Sequence, residues 1–257
     1  MTVHPTAIVE PGARLGEDAV VGPFCVVGPD VVLGPGVELR SHVVVRGDTV
    51  IGEGTVVFPF AVLGEVPQDL KYAGERTRLR IGMRNRVREY VTMNLGTAGG
   101  GGETRVGDDN LFMANCHVAH DAQVGSRVVV ANSVAIAGHC VIGDDTVIGG
   151  LAGIHQFVRI GRGAMIGALS MVTNDVIPHG LVQGPRGELD GLNLVGLRRR
   201  GVPREEIHAL RAAFQALRQG EGSLQDRAQA LQGQGGLVGE VAEFVLSASD
   251  RQFLTPR

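Results

Sequence analysis

Tryptophan is absent from the 257-residue chain, which carries only two tyrosines and eight phenylalanines. A core without large rings must be filled by aliphatic and small side chains. Cysteine is scarce: Cys25, Cys116 and Cys140 are too few to staple a chain of this length and fit a reducing compartment. The net charge of −3 excludes a global basic field for nucleic acid. Lysine is almost missing, with Lys71 alone against 23 arginines. No apolar run of about 18 residues is present, so no membrane-spanning helix is expected. The opening MTVHPTAIVE shows neither the basic nor the apolar stretch of a leader, and the expected location is cytoplasmic. Glycine is what the chain has in excess: 39 residues, about 15% against a usual ~7%. These glycines do not recur every third residue, which excludes collagen. A hydrophobic share of 44% against 20% charged excludes disorder.

The glycines belong to a period of six. From Val3, steps of six reach Val9, Leu15, Val21, Val27, Leu33, Leu39, Val45, Ile51, Val57 and Leu63. Two steps fail, at Asp69 and Glu75, and the register returns unshifted at Ile81, Val87 and Met93. The stretch TAGGGGET interrupts again and moves the phase by one, after which the period runs from Val106 to Val172. Glycine often follows the aliphatic, as at Gly16, Gly34, Gly52 and Gly125, and is expected to supply the turns. The position two before the aliphatic is often small; all three cysteines fall there and are read as buried packing residues.

Neither a helix nor an ordinary strand has period six; a short strand plus a tight turn does. Three such units make an 18-residue triangular coil, and stacked coils pair as parallel strands roughly 4.8 Å apart. The expected fold is mainly β, a parallel β-helix of about nine coils over residues 1–190. Two excursions, at about 66–80 and 96–105, interrupt it, and the unshifted register implies that the first replaces part of a coil. Beyond Pro178 the period fades. A small α-helical domain is expected over 191–257: VPREEIHALRAAFQALRQG is amphipathic, Ser223 to Asp226 resembles a capping box, and GLVGEVAEFVLSASDRQF reads as a last helix.

Four of the eight histidines lie between residues 117 and 155. With an 18-residue coil, His120 stacks under Gly138 and Gln156, Asp121 under His139, and His155 over Ala137 and Ala119. His120 beside a carboxylate suits a general base. Glycine at 138 leaves space beside that imidazole and frees a backbone N–H for an oxyanion. Adjacent side chains on a strand usually diverge, so the spacing alone does not establish a direct His120–Asp121 hydrogen bond. His117, His120, His139 and His155 also suggest a metal site. However, His120 and His139 are 19 residues apart and His139 and His155 are 16 apart, so no two of them stack; no metal is expected. Surface histidines on a plain scaffold are the remaining alternative.

Longer motifs add specificity. VPQDLKYAGERT (66–77), ANCHVAHDAQVG (114–125), IAGHCVIGD (136–144), GGLAGIHQFVRIG (149–161) and LNLVGLRRRG (192–201) resemble, in order and spacing, the UDP-N-acetylglucosamine O-acyltransferases of lipid A synthesis. The resemblance spans essentially the whole chain. It implies a left-handed β-helix and a homotrimer. It also implies direct transfer of a 3-hydroxyacyl group from acyl carrier protein to the sugar 3-hydroxyl of UDP-N-acetylglucosamine, with no cofactor. His120 then matches the general base, Asp121 its partner and Gly138 the oxyanion donor. His117, His139, His155 and Gln156 match substrate contacts, Asp69 and Lys71 sugar-nucleotide contacts, and Asn193, Arg199 and Arg200 the diphosphate region. The 66–80 excursion is expected to meet His120 across a subunit interface.

Departures from the family pattern leave the acceptor open. TMNLGT (92–97) stands where many members have a TIHRGT-like segment, and Val195 stands where some carry glutamate. A 3-amino analogue of the sugar is the alternative acceptor, and a coenzyme A-dependent acetyltransferase on the same scaffold is a further rival. Ala168 and Met171 map to the acyl-length ruler. A repeat that starts at Val3 argues against the related N-acyltransferase, which carries an extra N-terminal domain. Irregular faces without a Thr or Ser ladder argue against an ice-binding scaffold.

Overall fold

The computed structural model describes residues 1–249 and 251–255. Short strands, mostly of two residues, alternate with two-residue turns, and among the described residues they assemble into three faces of eleven, nine and eight strands, parallel except for the last strand of the first face. The first face contains Thr2–Val3, the second Ile8–Val9 and the third Arg14–Leu15. Register follows the 18-residue coil, with Ile8 opposite Val26 and Arg14 opposite Val32. The hexad aliphatics point inward and stack; Leu33, Ile51, Ile136, Ile148 and Ile166 are fully buried, as are the two exceptions Met93 and Phe112. The three cysteines are free and buried among them. Burial pushes the Cys116 thiol up to about 11 and the Cys140 thiol up to about 12, which leaves them inert packing groups.

The glycines after the aliphatics do not make the turns. Of the thirteen glycines that follow a hexad aliphatic, only Gly64 has positive φ. The left-handed conformation falls on the second turn residue, which is Asp18, His42, Asp109, Asn115, Asp121 and their equivalents. Glycine is needed there for close approach: a Cβ on Gly52 would lie 2.5 Å from the carbonyl carbon of Gly82 in the next coil. At another corner the rings of Phe24, His42, Phe60 and Tyr90 stack along the axis at 4.9–5.0 Å.

Both excursions leave from one corner, between the second and third faces. Val62–Glu65 on the second face is followed by Arg78–Ile81 on the third, and Thr92–Asn94 by Glu103–Val106. Val56 pairs with Arg86 and Arg86 with Leu111, so these coils contain 30 and 25 residues. The first excursion is therefore added to a complete coil and does not replace part of one. A buried polar column bridges the enlarged coils. Thr55 Oγ1 accepts from Asn85 N, Asn85 Nδ2 donates to Gly107 O, and Asn85 Oδ1 accepts from Asn110 N.

The stack continues past Pro178. Val176 bridges to Ile160, and Leu181 and Val182 pair with Met165 and Ile166. A coil two residues short had hidden this turn from the six-residue count. An antiparallel hairpin of Gly180–Gln183 and Glu188–Leu192 ends the sheet. Helices α1 (Leu194–Arg199), α2 (Arg204–Gln219), α3 (Leu224–Gln229) and α4 (Gly236–Leu246) follow. Pro203 caps α2, and Ser223 with Asp226 forms the capping box of α3. Helix α4 stops at Leu246, short of the sequence expectation. Beyond it Gln252 O accepts from Asp175 N and Leu254 N donates to Asp175 O, so the tail is extended against the last coil. Asp250, within that expected helix, lies outside the described residues.

Candidate active site

His120 and Asp121 occupy the two turn positions between His117–Val118 on the second face and Gln123–Val124 on the third. Because the corner is not extended strand, and Asp121 is left-handed with φ 61°, neighbouring side chains converge where strand geometry would separate them. His120 Nδ1 lies 2.8 Å from Asp121 Oδ2. The hydrogen bond that the spacing left open is thus made. The Asp121 side chain is shut off from solvent and is paid in hydrogen bonds: Thr97 N donates to Oδ1 at 2.8 Å and Thr97 Oγ1 to Oδ2 at 2.6 Å. Thr104 Oγ1 accepts from Asp121 N at 2.7 Å. A carboxylate only accepts, so the proton of this bond sits on His120 Nδ1, and in the neutral imidazole Nε2 is then the acceptor.

Gly138 sits against that nitrogen. A Cβ there would lie 2.6 Å from His120 Cε1 and 2.8 Å from Nε2. Its N–H has no hydrogen-bond partner among the described residues. His139, one residue on, stands perpendicular to His120 with ring centres 5.0 Å apart and stacks on Phe157 at 4.4 Å. Burial lowers the pKa of His139, with Asp121 opposing and His120 adding to the effect. Burial, then His120, also lowers that of His117, whose Nδ1 is bonded to Thr92 Oγ1 at 2.8 Å. The 19-residue spacing does not keep His120 and His139 apart: donor atoms of His120, Asp121 and His139 all lie within 4.8 Å of one another. That is close enough for a shared cation, but His120 Nδ1 and Asp121 Oδ2 are already spent on each other.

Two cavities flank the pair. One of about 390 Å³ runs down the second face, lined by His117, Ala119, His120, Gly138, His155 and Met171. Small residues make it a trough: Ala135, Ala137 and Gly153 form its floor. Met171 is in it, whereas Ala168 is not. The other, about 320 Å³, lies between the excursions and is lined by Asp69, Lys71, Glu75, Thr97, His139 and Phe157. The first excursion thus folds beside His139 and Phe157 of its own chain. Glu75 ties the excursions together by accepting from Ala98 N at 3.2 Å, and backbone N–H groups hold its pKa below the usual value.

His155 lines the trough, Gln156 follows it in the turn and lines neither cavity, and both are held by Arg251 from the C-terminal tail. Arg251 Nη2 is 2.8 Å from His155 Nδ1, and its Nε donates to the Gln156 carbonyl at 3.1 Å. Asn193, Arg199 and Arg200 are elsewhere. They line a cavity of about 600 Å³ with Val147, Met165 and Leu181 of the first face, and neither His120, Asp121, Gly138 nor His139 reaches it. Asn193 caps α1, accepting from Gly196 N at 2.9 Å and donating to Gly163 O at 3.0 Å. Sequence reasoning missed Thr97, Thr104 and Arg251. Thr97 was hidden because the second excursion breaks the 18-residue count that revealed the other neighbours.

A hexapeptide-repeat β-helix with a buried His–Asp pair at the head of an open trough defines a transferase of the hexapeptide class. Residues 12–47, 103–138 and 139–174 match the family model for bacterial transferase hexapeptides, and 175–254 match that for UDP N-acetylglucosamine O-acyltransferase, domain 2. The acyl-[acyl-carrier-protein]–UDP-N-acetylglucosamine O-acyltransferase of Paracoccus denitrificans is 68% identical over 78% of this chain and 77% of its own. That of Agrobacterium fabrum is 47% identical over 99% and 95%. A crystal structure of UDP-N-acetylglucosamine acyltransferase superposes with TM-score 0.96 at 41% identity, covering 99% of both chains, and that from Campylobacter jejuni with 0.93 at 38%, covering 99% and 100%. The chain belongs to the UDP-N-acetylglucosamine O-acyltransferase family. A coil of opposite hand would not superpose, so the β-helix shares the family's left-handed sense.

Proposed function

We propose that the protein transfers a 3-hydroxyacyl group from acyl carrier protein to the 3-hydroxyl of UDP-N-acetylglucosamine, opening lipid A biosynthesis in the cytoplasm. The observation that carries this is the His120–Asp121 pair with Gly138 packed against its free nitrogen, at the head of an apolar trough. His120 Nε2 takes the hydroxyl proton as the sugar oxygen forms its bond to the thioester carbonyl carbon. Asp121 stabilises the resulting imidazolium. The carbonyl oxygen gains charge and the Gly138 N–H donates to it. Collapse breaks the carbon–sulfur bond, and the thiolate takes the proton from His120. The trough holds the acyl chain, with Met171 at its lower end. Asp69, Lys71, His117, His139, His155 and Gln156 surround the reacting groups as substrate contacts.

Asn193, Arg199 and Arg200 lie on another face of the same chain, so a sugar nucleotide at His120 gains them only from a second copy. That separation supports a homotrimer in which each diphosphate is held by a neighbour's arginines. Of the departures that left the acceptor open, Val195 is exposed and lines the cavity of Arg199 and Arg200, whereas Asn94 and Leu95 are in the core. Asn94 donates to Val66 O at 3.2 Å, Leu95 is buried, and neither lines a cavity. They shape the root of the first excursion and not the sugar pocket. The purified protein should acylate UDP-N-acetylglucosamine from 3-hydroxyacyl carrier protein to give an alkali-labile ester. Preference for the 3-amino analogue, with an alkali-stable amide product, would replace this reading of the acceptor.

A further inference from the structure

Asp121 is a buried anion with more donors than His120 alone supplies. Thr97 gives it two, the backbone N–H to Oδ1 and the hydroxyl to Oδ2, the same oxygen that meets His120. The second excursion is built to hold Thr97 there. After Thr97 the chain makes a single turn, Ala98–Gly100, and returns: Gly100 N and Gly102 N both donate to Thr97 O, at 3.1 and 2.8 Å. The turn lies flat on the carboxylate. A Cβ on Gly100 would be 2.0 Å from Asp121 Cγ, and one on Gly96 would be 2.9 Å from Oδ1. The glycine run is therefore a roof over Asp121, and Thr97 is its only side-chain bond to that carboxylate.

We propose that Thr97 is a positioning residue for the reaction, acting through Asp121. Thr97 N–H is an obligate donor to Oδ1, and the Thr97 hydroxyl and His120 Nδ1 are both placed to donate to Oδ2, so every neighbour within hydrogen-bond distance can serve the carboxylate as an acceptor. The network orients the Asp121 carboxylate, holds the His120 proton on Nδ1 and leaves Nε2 as the base. Without the hydroxyl the carboxylate loses one donor and becomes more basic. Its pull on the imidazolium then strengthens, and His120 releases its proton less readily.

This inference rests on the acyl-transfer reading, and the test separates the two. Thr97→Val keeps shape and backbone N–H but removes the hydroxyl; Thr97→Ser restores it. For Thr97→Val, kcat should fall about tenfold or more, and the acidic limb of kcat/KM against pH should move upward by on the order of one unit. Thr97→Ser should match the wild type in both. Ring 15N shifts of His120, followed by NMR through the same pH range, should show the same upward movement in Thr97→Val without any substrate. Wild-type behaviour of Thr97→Val overturns the proposal, and so does lost activity with both the limb and the ring titration unmoved. Failure of the wild type to acylate UDP-N-acetylglucosamine would refute the acyl-transfer reading instead, and the ring titration would still decide the role of Thr97.

Discussion

Three imidazoles and one carboxylate crowd the catalytic corner, and their charges are sorted by environment. His117 and His139 are desolvated and held below the ordinary histidine pKa of 6.5, while Asp121 faces His120 directly. This has a cost in acid. Between the lowered native values and 6.5 the unfolded chain binds protons at these two positions that the native chain does not, so stability falls as pH drops through that window and levels off below it. The melting temperature should therefore decline below about pH 6.5. His139→Gln should flatten part of that decline. An unchanged slope in the variant would show that His139 is not neutral by burial.

At the scale of elements, the corner where both excursions leave is the corner that carries the site. Coils above it are lengthened to 30 and 25 residues, and the extra chain closes over Asp121 and His139. The enlarged coils are kept in register by the internal column of Thr55, Asn85 and Asn110. Asn85→Ala would strand Gly107 O and Asn110 N in the core and should cost about 1–3 kcal/mol in denaturant unfolding. A change below a few tenths would mean that water replaces the amide. Most of the β-helix was legible in the sequence because inward aliphatics recur every six residues. The coil after Pro178 was not, since it is two residues short. Glycine was misread as a turn former because composition does not distinguish positive φ from close approach. His120, Asp121, Gly138 and His139 were found by counting in steps of 18. Thr97 and Arg251 escaped that count, one behind an excursion and the other on the C-terminal tail.

Across the whole molecule the proposed site is divided. One chain supplies base, oxyanion donor and acyl trough, while its own Arg199 and Arg200 line a cavity on the first face. A second copy completes the site in the homotrimer reading. The variants His120→Ala and Arg199→Ala/Arg200→Ala, each nearly inactive alone, should regain part of the activity when unfolded and reassembled together. Some mixed interfaces would then pair an intact base with intact arginines. No recovery in verified mixed trimers would place both functions in one chain.

The central claim is that His120 is the base of an acyl transfer assisted by Gly138. The most direct measurement is single-turnover transfer from 3-hydroxyacyl carrier protein to UDP-N-acetylglucosamine by wild type and His120→Ala, with folding checked by circular dichroism. Loss of about 10²–10⁴ in rate is expected for the missing base, and Gly138→Ala, which drives a methyl into the imidazole, should lose about a hundredfold. A folded His120→Ala protein that turns over within a few-fold of wild type would contradict the account.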